Sequence, residues 1–192
     1  DEVVLTGHMN GLITVNIAEA DNVKREQVRQ SFGESYRTLL GHFRHESGHY
    51  YFLKLINNDR VRAQFRELFG DETVNYQQAM DNYYTNRDSL PRDTRMISHY
   101  AQSHPLEDWA ECWAHYLHMI DTLETAAAFA IHNESEQPDI SSIDGMLTRW
   151  GDLTILLNAL NRSMGMADAY PFVLSNLTLR KVRFVHSLVN PS

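Results

Sequence analysis

The stretch "ESYRTLLGHFRHESGHYYFLKLI", residues 34–56, decides the fold. It is rich in long side chains and free of proline, and it reads as one long helix. Its glycines, Gly41 and Gly48, each cost about 1 kcal/mol relative to alanine. They stand seven residues apart, so they share a face and would let another element come close. A helix turns by about 100° per residue, so His45 and His49 lie on one face, one turn apart. Two imidazoles at that separation can hold one tetrahedral zinc ion. Glu46 points about 100° away, where it is a poor ligand but can reach a water on the metal. Zinc lowers the pKa of such a water to about 7, so a nearby carboxylate can take its proton. His-Glu-x-x-His is thus the spacing that metal-assisted hydrolysis requires. His42 sits three residues before His45 on the same face and is a further candidate ligand. The competing reading is a set of histidines that merely decorate an amphipathic helix.

A catalytic zinc site needs a third protein ligand and one open position. The segment "PLEDWAECWAHYLHMIDTLETAAAFAIH" (105–132) supplies candidates, on a helix opened by Pro105. Glu107, Glu111, His115 and His118 form one stripe on it, within about 80° on a helical wheel. Trp109, Cys112, Trp113, Tyr116 and Ile120 lie on the opposite side. An ordinary solvated polar face would look similar. The charge pattern weighs against that. Between Arg95 and Arg149 there is no Lys or Arg, yet nine acids fall in the interval. Solvated helices usually interleave both signs. A bound metal, or an arginine from elsewhere such as Arg44, would supply the missing charge. Glu107 and Glu111 lie about 6 Å apart along the axis, so one can bind a metal while the other orients a histidine ligand. His118, about 16 Å from Glu107, is too far to share its ion. His115 is an alternative ligand together with Glu111.

The chain has 192 residues and a net charge of −8. The length fits a single domain spanning residues 1–192. The negative charge argues against nucleic-acid and anionic-membrane partners. No apolar run reaches the length of a membrane span. Cys112 is the only cysteine, which excludes an internal disulfide and a zinc ribbon within this chain. That usage fits a reducing, cytoplasmic compartment. The sequence begins at Asp1 rather than Met, so a processed or truncated N-terminus is expected.

The remaining elements read as follows. "VVLTG" (3–7) and "GLITVNIAEA" (11–20) are strands, and "LITVNI" (12–17) is a candidate edge. Helices are expected over 22–30, 60–70, 72–84, 142–165 with a possible break at Gly151, and 177–189. Loops are expected over 85–93 and 133–141. The sum is a mainly helical α+β fold with a small N-terminal sheet and a ligand-bearing helix packed on the active-site helix.

His-Glu-x-x-His followed by a helix with two acids one turn apart resembles the gluzincin pattern. The stretches "TGHMNGLITVNIAEAD", "YRTLLGHFRHESGHYYF", "FRELFGDE", "HPLEDWAECWAHYLHMIDTLETA", "LNRSMG" and "YPFVLS" more closely resemble a family of bacterial zinc-binding metallopeptidases. Members of that family often carry an N-terminal zinc ribbon, absent here. The resemblance implies a zincin-like domain that hydrolyses peptide bonds of a peptide or protein substrate. It implies zinc ligands His45, His49 and Glu107, Glu46 as general base, and Glu111 as an acid supporting the ligands from behind. Lethal-factor-like gluzincins place an oxyanion-stabilising tyrosine seven residues before the ligand glutamate, the position of Tyr100. Phe52 stands where the family is expected to have Trp. The rival readings are a non-catalytic zinc-binding module, closed by His42 or His115 as a fourth ligand, and a zinc hydrolase of non-peptide amides. His8 is expected either to cap its strand or to line the cleft.

Overall fold

The structure, a computed structural model, describes residues 7–9, 11–14, 38–131 and 142–191. A two-stranded antiparallel hairpin comes first, β1 (Gly7–Met9) and β2 (Leu12–Thr14), with Gly7 opposite Thr14. Six α-helices follow among the described residues: α1 (Leu39–Leu55), α2 (Asp59–Phe69), α3 (Tyr76–Asn86), α4 (Pro105–Ala128), α5 (Ile143–Ser163) and α6 (Asn176–Val189). The mainly helical α+β architecture expected from the sequence is the one observed.

Each helix starts where a side chain can take up a free backbone N–H. The caps are Thr38, Asn58, Asn75, His104, Ser142 and Ser175. These caps also explain where the boundaries depart from expectation. The helix read over 72–84 begins only at Tyr76, because Asp71 Oδ1 accepts the Thr73 N–H at 2.9 Å and Asn75 caps the helix. It then runs to Asn86, into the expected loop. The helix read over 105–132 ends at Ala128, and Ala130 takes a positive φ of 53°. Gly151 does not break α5, which passes through it without interruption. Of the long helix read over 34–56, residues 34–37 lie outside the described residues, as do the helix over 22–30, the loop over 133–141, and residues 3–6 and 15–20 of the two strands.

The long helix α4 is the centre of the packing. Trp109, Ala110, Cys112, Tyr116 and Met119 are fully buried along it. The stripe of acids and histidines is not a solvated face either: Glu107 and His115 are buried, and Glu111 and His118 are half-buried. On one side α4 meets α1. A Cβ on Gly48 would lie 2.9 Å from the Ala110 Cα and 3.2 Å from the Trp113 Cβ. Only glycine lets the two backbones come this near. Trp109 Nε1–H then donates to the Gly48 carbonyl at 2.8 Å, and Trp113 Nε1–H to Ser47 Oγ at 3.0 Å. Beyond them Phe52, Phe65, Phe69, Trp109 and Phe184 form an aromatic cluster that ties in α2 and α6. Phe52 fills its place with a ring 5.0 Å from that of Phe65.

On the other side α4 meets α6 through an ion pair between Asp108 and Lys181, each 1% exposed. Burial pushes the Asp108 carboxyl up to about 6, against the pull of the Lys181 charge. Near the far end of α1, Arg44 pairs with Asp121 and approaches His118. With Asp144, which pairs with Arg183 of α6 at 2.8 Å, three of the acids in the cation-free interval thus receive cations from other helices. No described helix is long and apolar enough to cross a membrane.

Two stability measurements check this packing. Gly48→Ala is expected to cost about 1–3 kcal/mol, the usual effect of overpacking. Lys181→Met is expected to cost about 3–5 kcal/mol, because it leaves a buried carboxylate without its partner. Denaturant unfolding gives both values. A midpoint unchanged by either substitution contradicts the corresponding contact.

Candidate metal centre

The approach of α1 to α4 sets two rows of polar side chains against each other. From α1 come His45 and His49, one turn apart, and from the first turn of α4 comes Glu107. His45 Nε2 lies 3.0 Å from Glu107 Oε2 and 3.2 Å from His49 Nε2. His49 Nε2 lies 3.4 Å from Glu107 Oε1. One donor atom from each residue falls within 4.8 Å of the others. A zinc tetrahedron with bonds of about 2.0–2.1 Å has edges of about 3.3 Å. The His45–His49 separation is close to that length, and the two imidazoles approach different oxygens of Glu107, His45 toward Oε2 and His49 toward Oε1. Two imidazole nitrogens and a carboxylate oxygen are also a donor set suited to zinc.

Glu111 stands one turn beyond Glu107. Its Oε1 accepts from His45 Nδ1–H at 2.7 Å. That contact fixes the tautomer of His45 and turns its Nε2 toward the centre. Burial alone would lower the His45 pKa, but the hydrogen bonds and charges of Glu107 and Glu111 carry it up to about 10. Reciprocally, burial would raise both acids, yet the imidazoles hold Glu111 at about 2 and Glu107 well below the ordinary carboxylate range.

The other predicted residues are placed as follows. Glu46 is buried at 6% exposure and outside the cluster, with Oε1 3.3 Å from His42 Nε2. Burial would raise its pKa, but the His42 hydrogen bond and the charges of His45 and His49 lower it. Tyr100 sits on a single 3-10 turn, Tyr100–Gln102, with its ring 5.8 Å from that of His45. The alternatives are drawn elsewhere. His42 faces Glu46, and buried His115 bonds Tyr170 Oη at 2.9 Å through Nδ1. His8 lies in the hairpin, beside His49. Its Nε2 accepts the Gly11 N–H at 3.1 Å within the hairpin turn, while its ring stacks on that of His49 at 6.4 Å.

One contact escaped the sequence reading. Tyr76, at the start of α3, donates from its hydroxyl to Glu107 Oε1 at 2.9 Å. The two residues are 31 positions apart on different helices, and no spacing rule connects them.

Residues 1–188 match the family described as "Putative zinc-binding metallo-peptidase". The chain belongs to this family. It is also 46% identical over 195 residues to the uncharacterized protein Rv2568c of Mycobacterium tuberculosis and to the uncharacterized protein Mb2598c of Mycobacterium bovis. The alignment covers 98% of this chain and 57% of each relative, so the chain spans little more than half their length. No solved structure matches the chain.

Metal binding to this centre is expected to release a proton, since His45 is protonated below about pH 10 when its partners are only carboxylates. A metal needs the neutral ring. Apparent zinc affinity should therefore rise about tenfold per pH unit from pH 7 to 9. Chelator-competition titrations across that range measure the slope, and a flat line contradicts the assignment of His45.

Proposed function

We propose that the protein hydrolyses peptide bonds with zinc held by His45, His49 and Glu107, as a peptidase of gluzincin type. The observation that carries this reading is the convergence of His45, His49 and Glu107, with one donor atom of each within 4.8 Å of the others and the Glu46 carboxylate on the helix of the two histidines. Zinc, when bound, polarises the scissile carbonyl and makes a coordinated water acidic enough to ionise near pH 7. Glu46 takes the water's proton as the water oxygen attacks the carbonyl carbon. It then delivers that proton to the departing amine as the C–N bond breaks, so the carboxylate ends as it began. His42 lies 3.3 Å from one oxygen of this carboxylate. Glu111 keeps His45 turned inward. Tyr100 donates to the tetrahedral oxyanion, an interaction worth about 3 kcal/mol at sites where such donors have been removed.

The non-catalytic alternative gains no support from the geometry. A closed structural site needs a fourth protein ligand. His42 and His115, the two candidates, are turned to Glu46 and Tyr170. The substrate is proposed to be a peptide or protein in extended form, laid along the β2 edge by main-chain hydrogen bonds.

Glu46→Gln is expected to lower hydrolysis of a peptide library by about 100- to 10,000-fold, the usual contribution of a general base. Its zinc content, measured by elemental analysis, should equal that of the unchanged protein. Chelator should abolish the remaining activity. Full activity in the zinc-loaded Gln variant removes Glu46 from the mechanism.

A further inference from the structure

We infer that Tyr76 is a positioning residue for the Glu107 carboxylate, and that the segment 70–76 is anchored so as to hold it there. This rests on the reading of Glu107 as a ligand. The Tyr76 hydroxyl donates to Oε1 at 2.9 Å, the oxygen that also lies 3.4 Å from His49 Nε2, while Oε2 lies closer to its imidazole, 3.0 Å from His45 Nε2. A phenol has one proton. Committed to Oε1, it favours bonding of the metal through Oε2 alone. Single-oxygen ligation leaves a coordination position open, which a hydrolytic site requires and a closed one lacks.

The segment leading to Tyr76 is fixed at three points. Glu72, with a side chain only 7% exposed, accepts from Arg62 at 2.9 Å and from Arg66 at 2.8 Å and 2.9 Å. The Arg66 hydrogen bonds are the main reason that its carboxyl falls to about 2. His104 accepts the Leu106 N–H on Nδ1, so its Nε2 carries the proton and donates to the Val74 carbonyl at 3.0 Å. The Tyr76 ring packs edge-on against the His104 ring at 5.1 Å. His104 is the cap of α4, three residues before Glu107. One imidazole therefore fixes both ends of the Tyr76–Glu107 bond, the segment that carries the donor and the helix start that carries the acceptor. Ion pairs on α2 that would otherwise look like surface decoration complete the frame.

The test is zinc affinity by competition with a chromophoric chelator, together with the visible absorption of the cobalt-substituted protein. Tyr76→Phe keeps the ring on His104 and removes only the hydroxyl. It should weaken zinc binding about 10- to 100-fold and lower the cobalt absorption as Glu107 adopts two-oxygen ligation. The melting temperature of the metal-free protein should stay close to that of the unchanged protein. His104→Ala should shift affinity in the same direction by loosening both ends of the bond. Glu107→Ala is the control and should lose zinc. If Tyr76→Phe keeps the original affinity and spectrum while Glu107→Ala loses zinc, Tyr76 has no positioning role and the ligand reading stands. If Glu107→Ala also keeps zinc, the ligand reading fails and this inference fails with it.

Discussion

The contact between Gly48 and Ala110 governs the rest of the structure. At that point α1 and α4 touch backbone to backbone, and no side chain separates them. Imidazoles reach only a few ångströms from their own helix, and so do glutamates. Two residues of α1 and one of α4 can meet at a common point only if the helix axes are close. Gly48 lies between His45 and His49, so the closest approach occurs where the ligand candidates project. The indole hydrogen bonds from Trp109 and Trp113 hold α1 in register along α4. A slip by one turn would set His45 against different acids.

The same closeness creates an electrostatic problem. Between Pro105 and Asp121, helix α4 carries Glu107, Asp108, Glu111 and Asp121 without any Lys or Arg of its own. Burying carboxylates is costly unless each finds a cation or a hydrogen-bond donor. The fold answers each acid separately. Asp108 receives Lys181 from α6, and Asp121 receives Arg44 from α1. Glu107 and Glu111 instead face His45, with Tyr76 as an added donor to Glu107. An imidazole is a cation only when protonated, whereas a divalent ion would supply fixed positive charge at the same spot. The place where α4 relies on imidazoles rather than Lys or Arg is the place where His45, His49 and Glu107 converge.

Much of this was legible in the sequence because its signals are local. His45, Glu46 and His49 share one helical turn, and the shared face of Gly41 and Gly48 announced a close neighbour. The stripe on α4 singled out Glu107 and Glu111, and the missing cations pointed to a partner such as Arg44. What stayed hidden depends on contacts distant in sequence. Lys181 reaches Asp108 across 73 positions, and Tyr76 reaches Glu107 across 31. Neither residue type is unusual on a surface helix, so neither stands out before the helices are packed. Helix starts shifted for the opposite reason. Caps by Asn75 and turns by Asp71 act over two or three residues and override a broad apolar pattern.

The division of labour among the histidines follows from the same geometry. Three of them, His42, His45 and His49, fall on one side of α1, and all could bind a metal in isolation. Their neighbours tell them apart. His45 is gripped through its far nitrogen by Glu111, which leaves its near nitrogen to the centre. His49 lies one turn along, its near nitrogen at a tetrahedral edge from that of His45. His42 lies on the other side of His45 and meets Glu46 instead. Glu46 in turn is excluded from the ligand set by its angle on the helix, yet it remains under the influence of both imidazole charges. A carboxylate so placed lies beside the candidate ligands without joining them, which is the position the proposed base would need in order to accept a proton and release it again.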